Sequence, residues 1–169
     1  MRKLSIVLCL VWMVLIFYNS SRPGTLSNTG SYKIVQSIRN DKNILQGKTN
    51  SNKTNPSLLP INQRDEKINI FIRKNAHAFE YFILAVLVSN LLFLFALKGR
   101  NALTYIMFIC LFYAVTDEYH QKFIAGRGSS VSDVLIDFTG ALIGLGFFYL
   151  VYYKCFTRYF IKNKKCRAN

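Results

Sequence analysis

Acidic residues are scarce in this chain: eight Asp and Glu stand against 22 Lys and Arg, leaving a formal charge of +14 at pH 7. A surplus of this kind suits a nucleic-acid binder when the bases form a patch. Here they are dispersed between and beyond long apolar runs, which sets nucleic acid aside and points to a membrane surface. Proline is scarce too, at three residues, so a collagen-like or proline-rich chain is excluded. The four cysteines form no framework: Cys9, Cys110 and Cys155 sit within apolar stretches, Cys166 lies in a basic tail, and the polar segment from Ser20 to Lys74 has none. They read as small apolar side chains in lipid-embedded helices, with no disulfide set and no C-x-x-C metal site. Charge of either sign is also low, at 18% of residues against 51% hydrophobic and 15% aromatic, with a mean hydropathy of +0.21. That is too apolar for an ordinary soluble domain of this length, which allows one domain at most. No internal repeat is visible.

What the chain does have is four uncharged runs: Leu4 to Ser21 (18 residues), Tyr81 to Leu97 (17), Asn101 to Thr116 (16) and Phe138 to Tyr153 (16). A bilayer core of about 30 Å calls for roughly 20 helical residues, so the last three runs must continue into their charged flanks. Extended to Ala76–Leu97, Asn101–Tyr119 and Val134–Tyr153 they reach 22, 19 and 20 residues. The extension carries His77, Glu80, Asp117, Glu118 and Asp137 to the membrane edge or just inside it. Ionisable groups there are costly, so they should face the bundle interior or water and partner one another. The expected fold is all-α, an integral membrane bundle of four transmembrane helices.

The organisation that follows is an N-terminal transmembrane anchor (1–21), a polar extracytoplasmic loop (22–67), a three-helix membrane core (68–153) and a basic cytoplasmic tail (154–169). Arg2 and Lys3 before an apolar run resemble a secretory signal, with Asn19-Ser20-Ser21 near a cleavage point. Bulky Ile16-Phe17-Tyr18 in place of an A-x-A-like pattern favours a retained anchor. The loop, especially Gln46 to Pro56, is too rich in Asn, Ser, Thr and Lys to fold alone. Within it Ile34, Val35, Ile38 and Leu45 roughly follow helical spacing, as in a short helix lying on headgroups. The tail bases Lys154, Arg158, Lys162, Lys164, Lys165 and Arg167 have no acidic neighbour, which places both termini in the cytoplasm of a multi-pass cell-membrane protein, although Arg73 and Lys74 argue the other way.

The candidate site is a polar cluster drawn from three segments. In Arg73-Lys74-Asn75-Ala76-His77-Ala78-Phe79-Glu80, the pairs Arg73/His77 and His77/Glu80 share a helix face. At the end of the third span Asp117 faces with His120 and Gln121, while Glu118 points elsewhere. The turn Ala125-Gly126-Arg127-Gly128-Ser129-Ser130 then opens a helix, where backbone N–H groups and Arg127 suit a phosphate or carboxylate. Asp133, Asp137, Gly140 and Gly144 step by four, three and four, so both acids lie on the face of a G-x-x-x-G packing motif and point into the bundle. Plainer roles compete with these. Ser130 and Asp133 fit a capping box, Asp117 or Glu118 with Arg127 an interhelical tie, and His77 with Glu80 an ordinary hydrogen bond. His77, Glu80 and His120 are the candidate metal ligands, but no known ligand spacing is present, so no cofactor is expected and no catalytic residue is assigned.

The run Arg73-Lys74-x-Ala76-His77-x-x-Glu80-Tyr81, followed by Thr116-Asp117-Glu118-x-His120-Gln121-x-Phe123-x-x-Gly126-Arg127-x-x-Ser130-x-x-Asp133-Val134-x-x-Asp137-x-x-Gly140, resembles the VanZ family. The resemblance is close from Arg73 to about Gly144. Tyr18 to Gly24 is similar to the family's entry motif. The chain departs from the pattern at Asp137, where many members have Asn, and in its long Asn-rich insertion before Ile68. The family is named for a protein associated with low-level teicoplanin resistance that does not require altered cell-wall precursors, and the resemblance leaves the mechanism open. Three readings compete. One is a non-enzymatic envelope protein of a Gram-positive bacterium whose polar outer face binds glycopeptide or lipid headgroups. Another is a membrane-embedded hydrolase or transferase acting on a lipid-linked envelope substrate, with Glu118 or Asp117 as base and Arg127 on a phosphate, with or without a metal at His77, Glu80 and His120. The third is a small transporter with the acids as a proton relay, which would need a homo-oligomer.

Overall fold

Uncharged runs become helices wherever the chain leaves water, because a backbone in hydrocarbon must satisfy its own hydrogen bonds. In the computed structural model, which describes the backbone of residues 2–23 and 63–166 and the side chains of residues 2–23 and 67–154, that rule gives four helices. They are α1 (Arg2–Ser20), α2 (Gln63–Leu94), α3 (Gly99–Gln121) and α4 (Val131–Cys166). All four are long and apolar enough to cross a membrane. The chain is therefore an all-α, multi-pass membrane protein, as its sequence leads one to expect. The expected surface helix around Ile34 to Leu45 and the Asn-rich stretch from Gln46 to Pro56 lie outside the described residues.

The helices outrun the expected spans. α2 begins at Gln63 and not at Ala76, so the expected 22–67 loop gives up its last residues to helix. α4 continues past Tyr153 to Cys166, taking most of the expected basic tail with it. At 1.5 Å per residue, 32 residues make about 48 Å, well beyond a hydrocarbon core of about 30 Å. Nothing requires a helix to stop at the membrane boundary, where water merely replaces lipid around a backbone that is already hydrogen-bonded.

α2 and α4 form the centre of the bundle, and small residues set how close they come. A Cβ on Gly140 would overlap the carbonyl oxygen of Ala78, and one on Gly144 that of Phe82. The G-x-x-x-G face is thus spent inside the chain, on α2. Tyr81, Leu84, Ala85 and Val88 of α2 are buried with Ala141 and Leu145 of α4, and Ala102, Ile106, Cys110 and Ala114 of α3 complete the core. Large apolar side chains such as Phe108, Phe112, Phe147 and Leu150 stay exposed, as lipid-facing residues should.

α1 is more than an anchor beside a three-helix core. Trp12 Nε1 donates to the Glu80 carbonyl over 3.0 Å, Tyr113 Oη donates to the Met13 carbonyl, and Ile16 is 1% exposed. The ends of α1 and α3 lie at the same end of the bundle as the first halves of α2 and α4. All the polar residues singled out in the sequence occur at that end.

Candidate functional site

Each helix delivers polar groups to this end at helical spacing. α2 brings Lys74, His77 and Glu80; α3 brings Asp117, Glu118, His120 and Gln121; the α3–α4 turn brings Arg127; and α4 brings Asp133 and Asp137. A cavity of about 330 Å³ lies among them, lined by Arg73, Lys74, His77, Glu118, Arg127 and Asp137 with other residues. Asp117, Glu118, Gln121 and Asp137 are all buried.

The turn between α3 and α4 is built around Gly126, whose positive φ of 73° suits a residue without a Cβ. It carries Arg127 back across the end of α1. There Nε donates to the Arg22 carbonyl at 3.0 Å, Nη2 to the Asn19 carbonyl at 3.0 Å and Nη1 to Gln121 Oε1 at 3.2 Å. The guanidinium thus closes the carbonyl end of a helix, where cations are favoured. It forms no ion pair with Asp117 or Glu118, which corrects the expected tie. Burial, and then the nearby Arg73 guanidinium, draw Arg127 below its ordinary pKa, and the acids around it oppose that shift. An arginine keeps its proton through such a change.

The carboxylates have distinct partners. Asp117 Oδ2 accepts from Ser20 Oγ at 2.8 Å and Gln121 Nε2 at 3.2 Å. Glu80 Oε1 accepts from Asn19 Nδ2 at 2.7 Å, while its Oε2 lies 3.4 Å from His77 Nδ1. Glu118 Oε1 accepts from the backbone N–H of Ser130 at 2.7 Å. That last bond overturns the capping box expected for Ser130 and Asp133. The N–H that an acid three residues on would satisfy is taken by Glu118 of another helix, and Asp133 Oδ1 instead meets Lys74 Nζ at 2.6 Å. Ser130 still caps α4, its Oγ accepting from Ser132 N–H at 3.2 Å.

His120 turns away from the cavity. Its ring stacks on Phe17 with centroids 4.3 Å apart, and Nε2 lies 3.0 Å from Ser21 Oγ. The Ser21 hydroxyl proton goes to the Phe17 carbonyl, so His120 Nε2 must be the donor in that contact. The expected metal candidates His77, Glu80 and His120 are therefore not drawn into one ligand set. Among the described residues, the groups with donor atoms within 4.8 Å of one another are His77, Asp117 and Asp137.

Asn19 and Ser20 of α1 and Ser21 just beyond it, together with Lys74, are not among the candidate site residues. The Tyr18 to Gly24 motif was the available signal for the first three, and its likeness to a cleavage region concealed their role. The arrangement as a whole offers cations, carboxylates and an imidazole around one cavity, which suits a ligand that carries a charged oxygen group and has access from one membrane face. A family model described as VanZ/LLP1 matches residues 5–152 of the 169-residue chain, a range that takes in α1. No curated protein and no solved structure matches it.

Proposed function

Because the chain belongs to the VanZ/LLP1 family, we propose that it is a VanZ-like protein of the bacterial cell envelope that contributes to low-level teicoplanin resistance through the polar cavity at one end of its bundle. The observation that carries this reading is the cavity itself, about 330 Å³ in volume, where Arg73, Lys74 and Arg127 stand beside Glu118, Asp133 and Asp137. A space of that size with cations and acceptors takes part of a glycopeptide, or the headgroup of an envelope lipid or lipid-linked precursor. On this reading the cavity faces outward, where teicoplanin acts, and both termini are cytoplasmic.

Teicoplanin susceptibility of a sensitive Gram-positive host tests the reading, with wild type and Glu118→Gln compared at matched membrane levels. Glutamine retains an Oε1 for the Ser130 N–H and removes the charge, so the fold keeps its cap while the cavity loses a carboxylate. Protection by wild type that falls away in the variant supports the cavity as the seat of the effect. Equal protection by both separates the effect from Glu118, and absence of protection by wild type removes the teicoplanin role.

A further inference from the structure

We propose that His77, Asp117 and Asp137 form a binding site for one divalent ion of the zinc or manganese class. These residues come from α2, α3 and α4, yet each presents a donor atom within 4.8 Å of the others. Donors on a coordination sphere of about 2.0–2.4 Å radius stand no more than ~4–4.8 Å apart, so the three fit around a single ion. One imidazole with two carboxylates suits Zn²⁺ and Mn²⁺ better than an all-oxygen cage does.

Independent observations point to a ligand here. The Tyr81 hydroxyl is fully buried without a hydrogen-bond partner, and its side chain lies in the field of Asp117 and Asp137. Asp117 itself is 2% exposed; Ser20 and Gln121 engage its Oδ2, while Oδ1 has no hydrogen bond. Such orphaned polar atoms are costly unless something binds them. Of the cations beside this site, Lys74 pairs with Asp133, and Arg127 spends its guanidinium on the Arg22 and Asn19 carbonyls and on Gln121. Two buried carboxylates this close repel each other, and a cation between them offsets that repulsion.

Glu80 stands beside the imidazole, with its Oε2 3.4 Å from His77 Nδ1 and its Oε1 held by Asn19, where a carboxylate can orient a ligand histidine. Three protein donors leave further positions for water or for an oxygen of a ligand in the cavity, which His77 and Asp137 line. The site rests on this geometry and is independent of the glycopeptide reading.

The test uses the full-length chain, purified in detergent with any tag removed and stripped with a chelator. Zn²⁺ and Mn²⁺ are titrated by calorimetry, and the bound ion is counted by mass spectrometry. Asp137→Asn and His77→Gln serve as ligand variants, with Asp117→Asn in place of either one that is not monodisperse. Wild type should bind one ion per chain, and each folded variant should bind at least ~10–100-fold more weakly, the loss that even outer partners of a metal site cause. Uptake of neither ion by wild type, or wild-type affinity in any folded ligand variant, overturns the site.

Discussion

Ser20 Oγ donates to Asp117 Oδ2 across 2.8 Å, with the two residues 0% and 2% exposed. The bond joins the last residue of α1 to the most enclosed carboxylate of α3. Removing one partner of a buried pair leaves the other undersatisfied, at a cost of about 1–3 kcal/mol. Ser20→Ala should therefore lower the unfolding midpoint in detergent by several degrees, at ~2–4 °C per kcal/mol for a chain of this size. A midpoint equal to wild type would mean that Gln121 alone holds the carboxylate.

Gly140 and Gly146 lie on the same helix and make opposite predictions. A Cβ at 140 runs into the Ala78 carbonyl, whereas one at 146 meets nothing within 4 Å. Gly140→Ala must push α2 and α4 apart and should cost more than ~2 kcal/mol, by analogy with overpacking. Gly146→Ala gains helix propensity, worth up to ~1 kcal/mol, and should be neutral or stabilising. Thermal unfolding of the two variants side by side checks the pair. Equal effects would remove the close contact as the reason for the motif.

That contrast shows what a sequence reveals and what it withholds. The spacing of Asp133, Asp137, Gly140 and Gly144 places them on one face by helical geometry alone, and the burial of Asp137 and both glycines on α4 agrees. The four spans were legible for the same local reason. Partners were not. Asp133 has a capping-box spacing, but its partner is Lys74, 59 positions away in the chain. Glu118 holds Ser130 across a turn whose course depends on Gly126. Arg127 gives no sign in sequence that it will close the carbonyl end of α1, because its acceptors are backbone atoms supplied by tertiary packing.

The three contacts of Arg127 use the planar fork of a guanidinium, with Nε, Nη1 and Nη2 each directed to a different acceptor. A lysine keeps the charge but cannot reach Arg22, Asn19 and Gln121 together. Arg127→Lys should therefore loosen the end of α1 without altering net charge. Amide hydrogen exchange gives the readout: faster exchange at the end of α1 is expected, with α2 and α4 little changed. Wild-type protection there would mean that charge alone holds the helix end.

Orientation yields to a direct test. In a background with its four native cysteines replaced, Ser129→Cys and Asn163→Cys place single thiols at opposite ends of α4. Ser129 is exposed in the α3–α4 turn beside the cavity. With both termini inside, a membrane-impermeant thiol reagent added to intact cells should label position 129 and spare 163 until the cells are opened. Labelling of 163 alone would put the cavity in the cytoplasm and remove any role that needs it outside.

α2 ends in a Schellman turn with an unusual residue at its pivot. Leu97 N–H bonds to the Leu92 carbonyl at 3.1 Å, Ala96 N–H bonds to that of Phe93 at 3.1 Å, and Ala96 has a φ of 64°. That left-handed position is one that glycine adopts freely, whereas a Cβ costs roughly 1–2 kcal/mol there. Ala96→Gly relieves that strain but loosens the unfolded chain, so the net gain should be about 0.5–1 kcal/mol. A rise of a few degrees in the unfolding midpoint is expected, with the polar cavity at the opposite end of α2 untouched. A lower midpoint would mean that glycine's greater freedom in the unfolded chain outweighs the strain relieved at Ala96.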